Sequence, residues 1–164
     1  MLIELKNKDK LIVADFKFKC CIGKNGLSKK KIEGDKKTPI GLFKLGNLYF
    51  RKDRIKKPNS YLKKIVIKKN MGWCNDVTNK KKYNKLFKIK KRIKHELLFR
   101  KDYKYDLLIP IKYNYIKPLT GKGSCIFLHL TKNYKPTAGC IALKKKDFLI
   151  MLRLINKKTK IRIF

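Results

Sequence analysis

A chain of 164 residues that is 43% hydrophobic, with nine Phe and eight Tyr, holds enough apolar side chains for one folded core and is excluded from the disordered class. Its 46 Lys and Arg against 11 Asp and Glu give a formal net charge of +35, which favours polyanionic surroundings such as nucleic acid or an acidic cell-wall polymer. Arg51, Arg54, Arg92, Arg100, Arg153 and Arg162 are its only arginines, and the lysines are scattered without one dominant tract. Dedicated nucleic-acid readers favour Arg for its fork of donors, so a compositional lysine bias explains the charge better than a specific nucleic-acid partner.

No apolar run approaches the ~20 residues of a spanning helix, so no membrane span is expected. The N-terminus, MLIELKNKDKLIVADF, interrupts short apolar runs with charges and offers no h-region or small-residue cleavage site. Either the chain stays inside the cell or a leader is missing from it. Cys20, Cys21, Cys74, Cys125 and Cys140 are an odd set without a CxxC pair, which fits neither a complete disulfide framework nor a zinc knuckle. At least one thiol is free, and Cys140 is the candidate. No metal and no cofactor are expected.

In chain order, Leu2 to Leu5 and Leu11 to Phe18 are β-rich runs separated by the hairpin signal Asn7 to Lys10. Cys20 to Gly23 ends the second run, and the turn Gly23 to Gly26 lacks the ending of a phosphate-binding P-loop. Glu33 to Phe43 is a polar loop, with Thr38-Pro39, running into a strand that continues to Tyr49. Tyr61 to Ile67 reads as a strand, Asn70 to Asp76 as a turn, and Trp73 within it as a core anchor or cleft wall. Thr78 to Lys94 has no clean period and reads as a surface excursion over the sheet. His95 opens the segment HELLFRKDYKYD before a strand from Leu107 to Tyr113. Phe148, Leu149, Met151, Leu152 and Ile155 recur at helical spacing, predicting a helix over Lys144 to Ile155. Lys160 to Phe164 closes as an edge strand. These elements make a mainly β domain of the α+β kind spanning residues 1–164, with about eight strands and one helix packed on the sheet.

The stretch Ser124 to Leu143, SCIFLHLTKNYKPTAGCIAL, holds the candidate chemistry. Ile126 to Leu130 is a buried strand carrying His129, Thr131 to Thr137 is a loop, and apolar character resumes after Cys140. A strand, loop and strand here folds the chain back and brings the imidazole to the thiol, as a cysteine nucleophile with a general base requires. Gly139 lets the backbone turn tightly, and N–H groups around Gly139 and Cys140 offer oxyanion donors. A Cys beside an apolar strand also reads as a small buried hydrophobe, and these residues alone leave both readings open.

Two separated signatures, Thr38-Pro39-x-Gly41-x-Phe43 and His129 followed by Thr137-Ala138-Gly139-Cys140-Ile141, together resemble the YkuD-type L,D-transpeptidase catalytic domain. Segments Gly72 to Asn84 and His95 to Asp106 resemble a short, single-domain branch of that family. The resemblance implies a YkuD-like β-sandwich or sheet with one helix after the cysteine strand. It implies Cys140 as nucleophile, His129 as base, and Thr137 and Gly139 in support. It further implies peptidoglycan stem peptides as donor and acceptor, a thioester intermediate, no metal, a monomer, and a place in the periplasm or cell envelope. An amine resolving the thioester gives a cross-link, and water gives a carboxypeptidase or endopeptidase. The chain departs from the family pattern at Ala138, where many members carry a second His, at Ala142, where many carry Arg or Asn, and in a shorter His-to-Cys gap. His95 is the candidate replacement for the missing His. A competing class is a non-catalytic basic module that binds cell-wall polymer or nucleic acid.

Overall fold

The computed structural model describes residues 1–89 and 92–164. Its first three strands, β1 (Leu2–Lys6), β2 (Lys10–Val13) and β3 (Phe16–Cys21), form two successive hairpins. The run expected as one strand from Leu11 to Phe18 is broken at Ala14, which takes a φ of +50° and turns the chain. Short strands follow: β4 (Leu27–Ser28), β5 (Thr38–Pro39), β6 (Gly41–Lys44), β7 (Leu48–Phe50) and β8 (Lys64–Val66). The expected single strand to Tyr49 is thus two, separated where Gly46 packs on Pro110.

Next come β9 (Met71–Cys74), β10 (Leu86–Lys88) and β11 (His95–Leu97), which pair in the order β10-β9-β11 as a small antiparallel sheet. The turn expected over Asn70 to Asp76 is therefore mostly the central strand of that sheet. The expected surface excursion is corrected in the same way: Tyr83 and Asn84 are buried, and Leu86–Lys88 is paired. Their burial follows from side-chain bonding that has no sequence period. Asn84 accepts from Trp73 Nε1 at 2.9 Å and the Cys125 N–H at 3.1 Å, and its amide donates to the Tyr113 and Asn114 carbonyls. Lys90 and Lys91, also within that expected excursion, lie outside the described residues.

The remaining elements are β12 (Leu107–Pro110), β13 (Phe127–Leu130), β14 (Ile141–Leu143), α1 (Lys145–Leu154) and β15 (Lys160–Ile163). Ten strands join in one sheet in the order β6-β15-β1-β2-β3-β14-β13-β12-β7-β8. β15 is not an edge strand, because it lies between β6 and parallel β1 with Ile161 opposite Ile3. The sheet curls until its β6 end returns to β12, where Leu45 bridges Ile111 and the Lys112 N–H donates to the Lys44 carbonyl.

Inside the curl, Ile3, Leu5, Leu11, Leu128, Ile141 and Ile161 meet Phe148, Met151 and Leu152 of α1. A ten-residue helix is too short to be stable alone in water, so this apolar face is what holds α1. Asp147 in its first turn and Arg153 in its last complement the helix dipole.

The central strands are buried on both faces, and period-two alternation assigns each residue to a side. Leu107, Ile109, Leu128, Leu130, Ile141 and Leu143 enter the main core. Leu108, Phe127 and Cys140 enter a second cluster with Tyr49, Trp73, Leu98 and Tyr105. Trp73 anchors that cluster, with its ring 5.3 Å from Phe127 and 6.3 Å from Tyr49, both edge-to-face.

Candidate active site

β13 and β14 run parallel, with His129 opposite Ala142. The chain therefore does not reverse as a hairpin between His129 and Cys140. Residues 131–140 cross back so that the second strand begins again in the same direction. Cys140 lies two positions before Ala142 and shares its side, and Phe127 and His129 share the matching side of β13. The alternation that sends Leu128 and Leu130 into the main core thus sends His129 and Cys140 to a common face. Both line one cavity of about 660 Å³.

The turn before Cys140 is held by its own threonine. Thr137 Oγ1 donates to the Cys140 carbonyl at 2.6 Å and accepts the Gly139 N–H at 3.1 Å. Gly139 has a φ of +135°, a region L side chains rarely adopt. A Cβ there would also stand 2.8 Å from the Lys37 carbonyl oxygen. Because Thr137 takes the Gly139 N–H, that group is not an open oxyanion donor, and the Cys140 N–H is the one left at the turn.

Thr38, wholly buried, ties the early signature to the late one. Its hydroxyl donates to the Gly139 carbonyl at 2.8 Å and accepts the Gly23 N–H at 2.9 Å.

The thiol and the imidazole are both held in uncharged form. Burial pushes the Cys140 thiol up to about 12, eased by the Phe127 N–H that reaches its sulfur at 3.4 Å. Glu96 adds to the rise and Lys31 opposes it. Burial pushes His129 down to about 4 against the bond its Nδ1 makes with the Leu130 carbonyl at 3.0 Å, and Lys104 and Arg100 push the same way as burial. A neutral ring satisfies that carbonyl only by donating, which leaves Nε2 as the basic nitrogen. The Cys140 thiol itself donates to the Cys125 carbonyl at 3.2 Å. The two side chains share a wall, and the thiol proton points to the backbone of residue 125.

His95 is placed elsewhere. It pairs opposite Cys74 on β11, its ring stands edge-to-face 5.7 Å from Phe87, and its Nδ1 meets the Ile93 carbonyl at 2.7 Å. It is not among the cavity-lining residues, so it does not replace the absent histidine there. The physical reason is the strand period: Glu96, one residue on, faces the other way and lines the cavity.

Sequence reasoning missed that carboxylate and its partners. Glu96 accepts from the Tyr105 hydroxyl at 3.0 Å and from Arg100 at 3.1 Å, while Arg100 holds Asp102 with two further bonds. Tyr105 in turn packs its ring against His129, 5.4 Å between centres. The signal was present in HELLFRKDYKYD, where acidic, basic and aromatic residues alternate, but nothing in that order says which of them turn inward.

Cations line the cavity in excess: Lys31, Lys36, Lys94, Arg100, Lys104 and Lys135 against Glu33 and Glu96. All five cysteines are free. Among the described residues, no three His, Cys, Asp or Glu side chains are grouped to hold a metal ion. None of the described helices is long and apolar enough to cross a membrane.

The chain belongs to the YkuD family, the L,D-transpeptidase catalytic domain, whose family model matches residues 2–163. Its mainly β architecture, with a single helix among the described residues, is that family's fold. Among solved structures it is similar to the helical cell shape determining protein Pgp2 from Campylobacter jejuni, with 20% identity and a TM-score of 0.54. A point mutant of the same Pgp2 matches at 20% identity and a TM-score of 0.51. Each match covers 99% of this chain and 46% of the other, so the chain spans about half the length of Pgp2. No protein with a curated description matches it.

Proposed function

We propose that this chain is a cysteine-dependent L,D-transpeptidase-type enzyme acting on peptidoglycan stem peptides in the cell envelope, with a part in cell-wall organisation and cell shape. The observation that carries this reading is the placement of His129 and Cys140 on one side of adjacent parallel strands, facing one cavity. The family supplies the substrate class.

The reaction runs through a thioester. Nε2 of His129 takes the thiol proton as Cys140 Sγ attacks the carbonyl at the L-centre of the diamino acid in the donor stem. The Cys140 N–H faces the developing oxyanion. Collapse breaks the amide bond, and the imidazolium returns the proton to the departing D-Ala amine. A second nucleophile then attacks the thioester carbonyl and restores the thiol. The bond from thiol to the Cys125 carbonyl must be given up on the way, since catalytic hydrogen bonds tighten only once substrate is in place.

The cationic lining bears on the second step and supports a second reading of its outcome. A donor carboxylate is attracted into this cavity, whereas an acceptor amine arrives as an ammonium ion and is repelled. Water meets no such barrier, so L,D-carboxypeptidase or endopeptidase activity is the second reading. Incubation with a carbapenem followed by intact-mass analysis tests the shared acylation step. The adduct is expected on wild type and not on Cys140→Ser, and an adduct that survives the substitution overturns the assignment. Digests of purified peptidoglycan with and without an acceptor stem separate the two outcomes by product: cross-linked dimer for transfer, trimmed stem for hydrolysis.

A further inference from the structure

Lys31 is the one buried lysine among the described residues, its side chain 3% exposed. An ammonium so placed needs partners. It has two: Asp35 Oδ1 at 2.5 Å and the Lys37 carbonyl at 2.6 Å. That same Lys37 oxygen is the atom pressed against Gly139, where a Cβ would meet it at 2.8 Å. One backbone carbonyl thus touches both the ammonium and the nucleophile turn. Across the chain, Gly123 makes room for the lysine, since a Cβ there would stand 2.7 Å from Lys31 Cε. Two of the three ammonium hydrogens are spent on these partners, and the side chain lines the Cys140 cavity.

We propose that Lys31 is a positioning residue, a fixed cation anchored beside the nucleophile turn that stabilises negative charge on the Cys140 sulfur. The inference rests on Cys140 being the nucleophile. The site needs such a group, because burial and Glu96 both disfavour the thiolate. Around the sulfur the Phe127 N–H also favours the thiolate, and Cys21, Cys125, Tyr105 and the uncharged His129 carry no positive charge that could help. Asp35 competes for the same ammonium and damps its effect on the sulfur.

The test is the rate at which iodoacetamide alkylates Cys140, read by peptide mass mapping from pH 7 to 10. Lys31→Met is expected to slow alkylation about threefold across this range, equivalent to a thiol about half a pH unit less acidic. Lys31→Arg, which keeps the charge, should stay close to the wild-type rate, within about 1.5-fold. Asp35→Asn should act oppositely and speed alkylation several-fold. A lysine that merely pins the loop predicts the same direction for Lys31→Met and Asp35→Asn, since both break the one ion pair. Opposite directions support the proposal, and equal directions or an unchanged Lys31→Met profile overturn it. If Lys31→Met does not fold, Asp35→Asn decides alone: faster supports, slower or unchanged overturns. The assay needs no substrate, so a chain inactive on stem peptides still answers it. Turnover with unaltered alkylation would sink the Lys31 role and leave the catalytic reading standing.

Discussion

The two histidines of this chain have similar local surroundings and opposite roles in the structure. Each sits on a short strand, each engages a nearby carbonyl through Nδ1, and each packs edge-to-face on an aromatic ring. His129 faces the cavity that Cys140 lines, and His95 faces Phe87 on the far side of β11. What separates them is one residue of strand parity. Had His95 stood where Glu96 stands, the cavity would hold a second imidazole in place of a carboxylate.

The largest expected effect tests that contrast directly. His129→Ala should lower stem-peptide turnover by about 10²–10⁴-fold, the range for loss of a general base. His95→Ala should leave turnover within a few-fold, and a collapse of activity there would break the comparison.

A second test of His129 is its pH response. The folded value for His129, about 4, lies below its ordinary 6.5, so the unfolded chain takes up the proton first. Stability fully present above pH about 6.5 is then lost as pH falls toward 4, by an amount on the order of 3 kcal/mol. Urea unfolding of wild type and His129→Gln across that window should show the loss in wild type only.

The site's backbone frame gives a third, smaller effect. Thr38→Val removes one buried donor and one buried acceptor, leaving the Gly139 carbonyl and the Gly23 N–H without their partner. A cost of about 2–3 kcal/mol follows, and Thr38→Ser should recover most of it in denaturant titrations.

The smallest effect sharpens the parity argument. Glu96→Gln removes a negative charge that disfavours the Cys140 thiolate, and should speed iodoacetamide alkylation about three- to tenfold. His95→Phe should leave that rate unchanged. Equal effects would mean that both faces of β11 sense the Cys140 sulfur.

The candidate pair His129 and Cys140 and the helix are legible in the sequence because their signals are local. The apolar spacing from Phe148 to Ile155 predicts α1 to within a residue at either end. The two signatures around Thr38 and Cys140 are read from neighbours in the chain. The signals that failed are non-local. Trp73 sits in a stretch whose Asn and Gly residues read as a turn, yet β10 and β11 pair with it on both sides and make it a strand. The alternation in Lys160 to Phe164 predicts a strand correctly, but an edge and an interior strand of this sheet have the same pattern on their buried face. β15 became interior only when β6 came round to it.

By itself, then, the order of residues determined a mainly β chain with one helix, a histidine on a buried strand and a cysteine after a tight glycine turn. Each of these depends on side-chain period or backbone freedom over a few residues. Tertiary structure decided that β13 and β14 run parallel, that His129 and Cys140 therefore share a face, and that Glu96 enters the cavity while His95 does not. It also buried Lys31 against the carbonyl that braces Gly139. Those outcomes depend on strand pairing and on which side of a sheet is covered, and both are set by contacts between residues far apart in sequence.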